Sequence, residues 1–313
     1  MRRWSLTRWK SIPVLVAVAG ALVIATSAPL VRLSQTAPAT SALFRCGYAL
    51  PALFALAWFE RRRRGPMPWR ERRQAWLAGL FFALDLLFWH LSIRYVGAGL
   101  ATVLGNLQVV VVAFAAWALL AERPSRHLMI ATPPVLFGAA LISGVFDAAP
   151  YGADPALGVL FGLLTSLTYS AFLLVLRSGS GENRRVSGPL AHATLVATVL
   201  IAALSPLFGG ADPVPSWPAH GWLLLLALGP QVLGWVLITY SLPRQPAALT
   251  ALLLLIQPVA TVAISAAALA ERPSPFQLTG CVLIALGVLY GSRPQPALTA
   301  AEQDEQVPKT STV

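Results

Sequence analysis

Asp85 is the one acidic side chain among twelve that falls deep inside an apolar run, and Arg45 is the one cation that does so. An ionised group at such a position costs about 2.5–3.5 kcal/mol on insertion scales, so each calls for a cavity, a partner or a role. Buried charges of this kind can bind a charged group, pass a proton, or neutralise one another. Around them stand amides at similar depth: Asn106, Gln108, Gln231 and Gln257. Trp89 shares a helix face with Asp85 at a spacing of four, as Trp235 does with Gln231. Asn106 and Gln108 are two apart and face different ways, so at most one of them points straight into a common cavity. The amides serve either as ligand contacts or as interhelical struts, each strut worth roughly 0.6–2 kcal/mol. His90 lies 140° round the helix from Asp85, which disfavours a direct relay between them.

Catalytic and metal chemistry find little support. Cys46 and Cys281 offer neither a disulfide framework nor metal-ligand spacing, and both read as small packing residues. No His-Glu-x-x-His occurs. In Ala140-Leu-Ile-Ser-Gly144, Leu141 stands where an intramembrane serine nucleophile would want glycine. No metal and no cofactor is expected.

The elements that must position these residues are set by the solvent. Hydrophobic residues make up 57% of the chain and charged ones 11%, against about 25% charged in soluble domains. Apolar stretches of about 17–25 residues suffice to cross hydrocarbon. Ten are read here: 12–31, 41–59, 76–93, 97–120, 128–146, 157–176, 189–208, 221–240, 247–269 and 276–290. On this count Asp85 is nine residues into the third, and Asn106 and Gln108 about ten into the fourth. Gln231 and Gln257 are ten into the eighth and ninth. The fold class expected is an all-α integral membrane protein. The basic start (Arg2, Arg3, Arg8, Lys10) with Ala25–Ala28 imitates a signal peptide, but nine further spans follow and a retained first helix is expected.

Leu-Ala-Glu-Arg-Pro-Ser occurs at Leu120–Ser125 and again at Leu269–Ser274, an offset of 149 residues. Held without gaps from Ala98 to Gly138, that offset gives 13 identities in 41 positions, among them Gln108 over Gln257 and Gly138 over Gly287. The chain therefore divides into a cytoplasmic N-terminus (1–11), a first five-helix repeat (12–146), an external linker (147–156), a second repeat (157–291) and a disordered tail (292–313). Five is odd, so the second half enters the membrane from the opposite side. Glu122 and Glu271 then fall on opposite faces, and the repeats are inverted.

Charge orients the chain. With the N-terminus inside, nineteen Lys and Arg face the cytoplasm, seven of them in the loop holding Arg61–Arg64, Arg70, Arg72 and Arg73. Only Arg32, Arg94 and Arg272 face out. The net charge of +11 then meets anionic headgroups rather than nucleic acid. Pro230 and Pro258 interrupt the eighth and ninth helices, as hinges or as static kinks, and Pro258 frees the Leu254 carbonyl. Pro133-Pro134 interrupts the fifth in the same way. Gly158-x-x-x-Gly162 and Gly287-x-x-x-Gly291 suit helix packing within one protomer; a monomer and a homodimer both stay open. Tyr169 reads as an interfacial anchor or packing residue.

The chain resembles the drug/metabolite transporter superfamily in its ten-helix, EamA-like branch. The resemblance rests on Ser27–Leu30, Arg45, Leu84-Asp-Leu-Leu-Phe-Trp-His-Leu-Ser-Ile-Arg94, Gln231-Val-Leu-Gly-Trp235, Leu253-Leu-Leu-Ile-Gln-Pro258 and the two Glu-Arg-Pro helix ends. It implies a carrier in the cytoplasmic membrane, by expectation an exporter, of small metabolites, amino acids or drugs, working by alternating access. It departs from the small multidrug-resistance relatives, whose first helix carries an essential glutamate; here that helix has no acidic residue. The partners expected are a small-molecule substrate, the lipid bilayer and protons as a coupling ion. A nucleotide-sugar or sugar-phosphate carrier would want more cavity cations than Arg45. A membrane enzyme would need a nucleophile and base that the chain does not offer. A structural or receptor protein would not need the mirrored repeat or the midplane amides. Arg45 and Asp85 either form a structural pair, or Asp85 titrates or holds a cationic group of the substrate.

Overall fold

A computed structural model describes residues 3–142, 154–180, 185–208, 210–269 and 273–293. All regular structure among them is helical. Seven helices are long and apolar enough to cross a membrane: α1 (Ile12–Ser34), α2 (Pro38–Arg64), α3 (Trp69–Tyr95), α6 (Ala156–Gly179), α7 (Ser187–Leu207), α8 (Ala219–Arg244) and α9 (Ala247–Ala267). Three apolar helices are shorter: α4 (Leu104–Leu120), α5 (Arg126–Ile142) and α10 (Pro275–Gly291).

Helix ends follow local chemistry. Pro38 opens α2, and Gly65 at φ 75° ends it, so Arg61–Arg64 sit on the helix rather than in the loop expected for them. Asp154 caps the N-terminus of α6 through the Leu157 amide, and Ser274 with Gln277 forms a capping box on α10. At the end of α4 the non-glycine Ala121 adopts φ 55°, which swings Glu122 off the helix axis.

The backbone is helical without interruption over Trp69–Asn106, yet its contacts along α6 run both ways. Phe82 meets Phe172, Phe88 meets Phe161 and Ser92 meets Gly158, which is antiparallel. Leu104 packs on Gly162, Gly105 on Thr165, and Ser170 donates to the Gln108 carbonyl, which is parallel. The chain therefore reverses between Tyr95 and Leu104, close to the boundary that the apolar spans 76–93 and 97–120 predict.

Packing joins α2 to α7, α4 to α9 and α5 to α10. It also joins α3 to α6 and α1 to α8, α3 to α7 and α2 to α8, and α4 to α6 and α1 to α9. That set is unchanged when α1–α5 are exchanged with α6–α10. The match holds at atomic detail between α5 and α10. A Cβ on Gly138 would meet the Gly280 carbonyl at 2.8 Å and Ile284 at 3.1 Å, while Gly287 packs on the Ala131 carbonyl and Val135. The 149-residue offset carries each of those contacts onto the other. The helices run antiparallel, since Leu141 and Ile142 meet Gly280 whereas Leu128 and Ala131 meet Gly291. Both glycines of Gly287-x-x-x-Gly291 are thus spent on packing inside the chain.

The arginine-rich helix ends are laced together. Arg177 makes a two-pronged bond to Glu122 at 2.8 and 2.5 Å, and Glu122 also accepts from the Ala247 amide at 3.0 Å. Arg185 pairs with Glu71 at 3.2 Å and donates to the carbonyls of Arg64, Gly65 and Pro66. Glu60 accepts from the amides of Val186 and Gly188, both at 2.8 Å. Glu271, expected to match Glu122, and Asp147 lie outside the described residues.

Two outcomes follow from this packing. Gly138→Ala puts a methyl against backbone that cannot rotate away, so thermal stability in detergent should fall by about 1–3 kcal/mol. Gly229→Ala, with nothing within 4 Å of its added methyl, should leave stability unchanged. At Glu122, burial pushes the carboxyl up, but the Arg177 and Ala247 hydrogen bonds outweigh it and hold the group below its ordinary value. A depressed carboxylate stabilises the fold above its unfolded pKa and loses that contribution as pH falls through the folded value. Glu122→Gln should therefore flatten the acid limb of a melting-temperature profile below about pH 4.5.

Candidate functional site: a polar cavity between the repeats

One cavity of about 700 Å³ lies among the helices, within the roughly 300–1,000 Å³ of small-molecule sites. The helix ends that line it are those of Val31, Arg32, Ser41, His90, Ile142, Pro273 and Gln277, all on the arginine-poor face. Its deep end is reached by Arg45, Asp85, Asn106, Gln108, Tyr169, Trp235 and Gln257. Seven of the eight candidate residues thus share one cavity, Trp89 among them. Gln231 does not line it and stands behind Arg45.

Arg45 Nε donates to Gln231 Oε1 at 2.9 Å, and Gln231 Nε2 reaches Thr194 Oγ1 at 3.5 Å. Gln231 is completely buried and sits in a π-helical segment, Ala227–Gly234, around Pro230. Proline removes one amide donor, and the widened turn re-aims the side chains that follow it. The structural pair offered by the sequence, Arg45 with Asp85, takes a different form. Both line the cavity and interact electrostatically, but among the described residues no ion pair joins them. Arg45 is thus held by the Gln231 amide while its residue also lines the cavity. His90 also lines the cavity, with Nδ1 on its own helix at the Leu86 carbonyl, 2.6 Å away.

The helices break where the cavity is deepest. α4 is interrupted at Leu107, between Asn106 and Gln108, and α9 at Leu255, just before Gln257. The offset of 149 brings the two breaks within one residue of each other. α1 breaks at Thr26, where Pro29 withholds an amide from the Ala25 carbonyl; Thr261 Oγ1 of α9 supplies the missing donor at 3.0 Å. Four buried polar atoms in the wall have no partner: Ser27 Oγ, Asn106 Nδ2, Gln108 Oε1 and Trp235 Nε1. Buried polar groups are normally satisfied, and these four unmet atoms, themselves shielded, belong to side chains that line one space. The floor is aromatic, with Phe82 stacked on Phe172 at 4.7 Å and Trp235 edge-on to Phe172 at 4.9 Å.

Tyr169 packs on Phe172 and Trp235, as one of the two sequence readings has it, and also borders the cavity. Its side chain reaches that of Gln257. Its position in mid-span, far from either interface, was the available signal. Thr165 and Ser27, also in the wall, gave none.

A profile of the EamA-like transporter family matches residues 11–144 and 156–292, one match in each half. The chain belongs to the EamA-like transporter family. A solved structure, described only as the crystal structure of a protein, superposes with a TM-score of 0.74 at 18% identity, covering 90% of this chain and 96% of that one. That likeness shows the fold. No curated protein matches the chain. EamA-like proteins are transporters rather than enzymes, and the apolar helices make this one an integral membrane protein.

The Pro29–Thr261 arrangement can be checked by a double-mutant cycle. Thr261→Val should cost about 1 kcal/mol of thermal stability by stranding the Ala25 carbonyl. In a Pro29→Ala background, where an amide at 29 can serve that carbonyl, the same substitution should cost less than half as much.

Proposed function

We propose that this EamA-like protein carries a small zwitterionic organic solute across the cytoplasmic membrane by alternating access. The observation that carries the reading is Arg45 and Asp85 in one cavity, opposite in charge and not paired with each other. Two separate charges in a low-dielectric space are costly, and a solute bearing a carboxylate and an ammonium group discharges both at once. Arg45 meets the anionic group, Asp85 the cationic one, and Trp89, Tyr169 and Trp235 cover the organic body. Asn106, Gln108 and Gln257 complete its hydrogen bonds.

In this reading ten helices cross the membrane as two inverted five-helix repeats. Support comes from the exchange symmetry of the packing and from the antiparallel α5–α10 pair. A two-fold axis along the membrane normal would leave those helices parallel. The charge count puts the arginine-rich face and both termini in the cytoplasm, so the cavity reaches the outer face. The helix breaks at Leu107 and Leu255 give each repeat a joint beside the solute.

The test is uptake into proteoliposomes of neutral amino acids, with the matching amines and carboxylic acids as controls. Zwitterions should be carried and the singly charged controls should not. Asp85→Asn and Arg45→Gln should each lower transport at least about 100-fold while expression holds, as expected for loss of a buried charge contact. Full transport in Asp85→Asn with unchanged pH dependence would remove Asp85 from both charge binding and proton coupling. Selective uptake of sugar phosphates would favour the phosphate-carrier reading. Cysteine at position 62 should resist impermeant thiol reagents in intact cells; labelling there would invert the orientation.

A further inference from the structure

Three helices that wall the cavity, α4, α6 and α9, also meet at the opposite, arginine-rich face, and one carboxylate holds them there. Glu122 follows α4, Arg177 ends α6 and Ala247 begins α9. The segments between the helix breaks and this junction, Gln108–Leu120 and Ala247–Leu254, pack on each other. They fill the space between the cavity floor and the arginine-rich face. We propose that the Glu122–Arg177 pair, seated on the Ala247 amide, is the gate that closes this face and must part in each transport cycle.

The geometry suits a contact that forms and breaks. A two-pronged guanidinium–carboxylate bond fixes both position and angle. The side chains are 28% and 16% exposed, so water can take over either partner when they separate, unlike a fully buried pair. Ala121 holds a left-handed conformation that costs a non-glycine residue about 1–2 kcal/mol, and this turn presents Glu122 to Arg177. A second ion pair on this face among the described residues, Arg185 with Glu71, ties the chain before α7 to the start of α3 and involves neither α4 nor α9. The three hydrogen bonds that keep the Glu122 carboxyl ionised make the gate insensitive to proton binding near neutrality. Movement of the half-helices, rather than protonation, parts it.

The gate rests on the carrier reading, but its test requires no solute. A cysteine is placed at Thr165 in the cavity wall, with Cys46 and Cys281 replaced by alanine. An impermeant maleimide is applied to the arginine-rich face of oriented vesicles. The parent should label slowly. Glu122→Gln and Arg177→Gln should each label about tenfold faster or more, as loss of a charge-assisted bond of about 1.5–3 kcal/mol implies. The exchange Glu122→Arg with Arg177→Glu should return the rate toward that of the parent. Parent-like rates in both single variants, in protein that elutes as a single species, would overturn the gate, as would an exchanged pair that stays open. Failure of the zwitterion assay with a positive labelling result would remove the solute assignment and leave the gate standing.

Discussion

Inside hydrocarbon no water is available to serve a backbone or side-chain polar group, so every break in a helix must be met by another part of the protein. The Ala25 carbonyl shows the rule at work. Pro29 deprives it of its helical donor, and Thr261 from the other repeat provides one. The Arg45 guanidinium obeys it too, through Gln231 in a π-helical turn that Pro230 helps to shape. These two irregularities are therefore also joins between the two halves. Among the described residues with an unpartnered buried polar atom, Ser27, Asn106, Gln108 and Trp235 border one cavity.

The same constraint accounts for the form of the packing. Lipid tails are as apolar as leucine, so helices associate by close approach and not by hydrophobic gain. Gly79 against Ala193, Gly138 against Gly280 and Gly20 against Gly234 bring backbones together where any side chain would hold them apart. On the arginine-rich side the adhesive changes to ion pairs and charged hydrogen bonds, as suits helix ends close to water. Close-packed glycines fix one half against the other at mid-depth, and polar ties fix the ends. Between them lie the interrupted helices α4 and α9, in the position a moving part would occupy.

Depth was legible from sequence and azimuth was not. A rise of 1.5 Å per residue sets the level of Asp85, Asn106, Gln108 and Gln257 once the span ends are known. Their presence in one cavity follows from that level together with the repeat. Which neighbour each side chain meets depends on the rotation of the helix, and rotation is set by packing against other helices. Hence Arg45 turns to Gln231 and not directly to Asp85, and Tyr169 faces the cavity, although periodicity in an all-apolar span gave neither. Gln231 sat at the right depth but on the far side of Arg45.

The sequence by itself determined the solvent, the apolar spans and the duplication, because composition, length and self-similarity are properties of the chain alone. It also carried a charge asymmetry that favours one orientation. The separate spans 76–93 and 97–120 already placed a reversal between the third and fourth helices; which residues of α6 meet each arm only the tertiary structure decided. It likewise decided that Ala121 turns Glu122 onto Arg177, 55 residues away in sequence. Contacts of that range depend on how helices stack, and no local pattern encodes them.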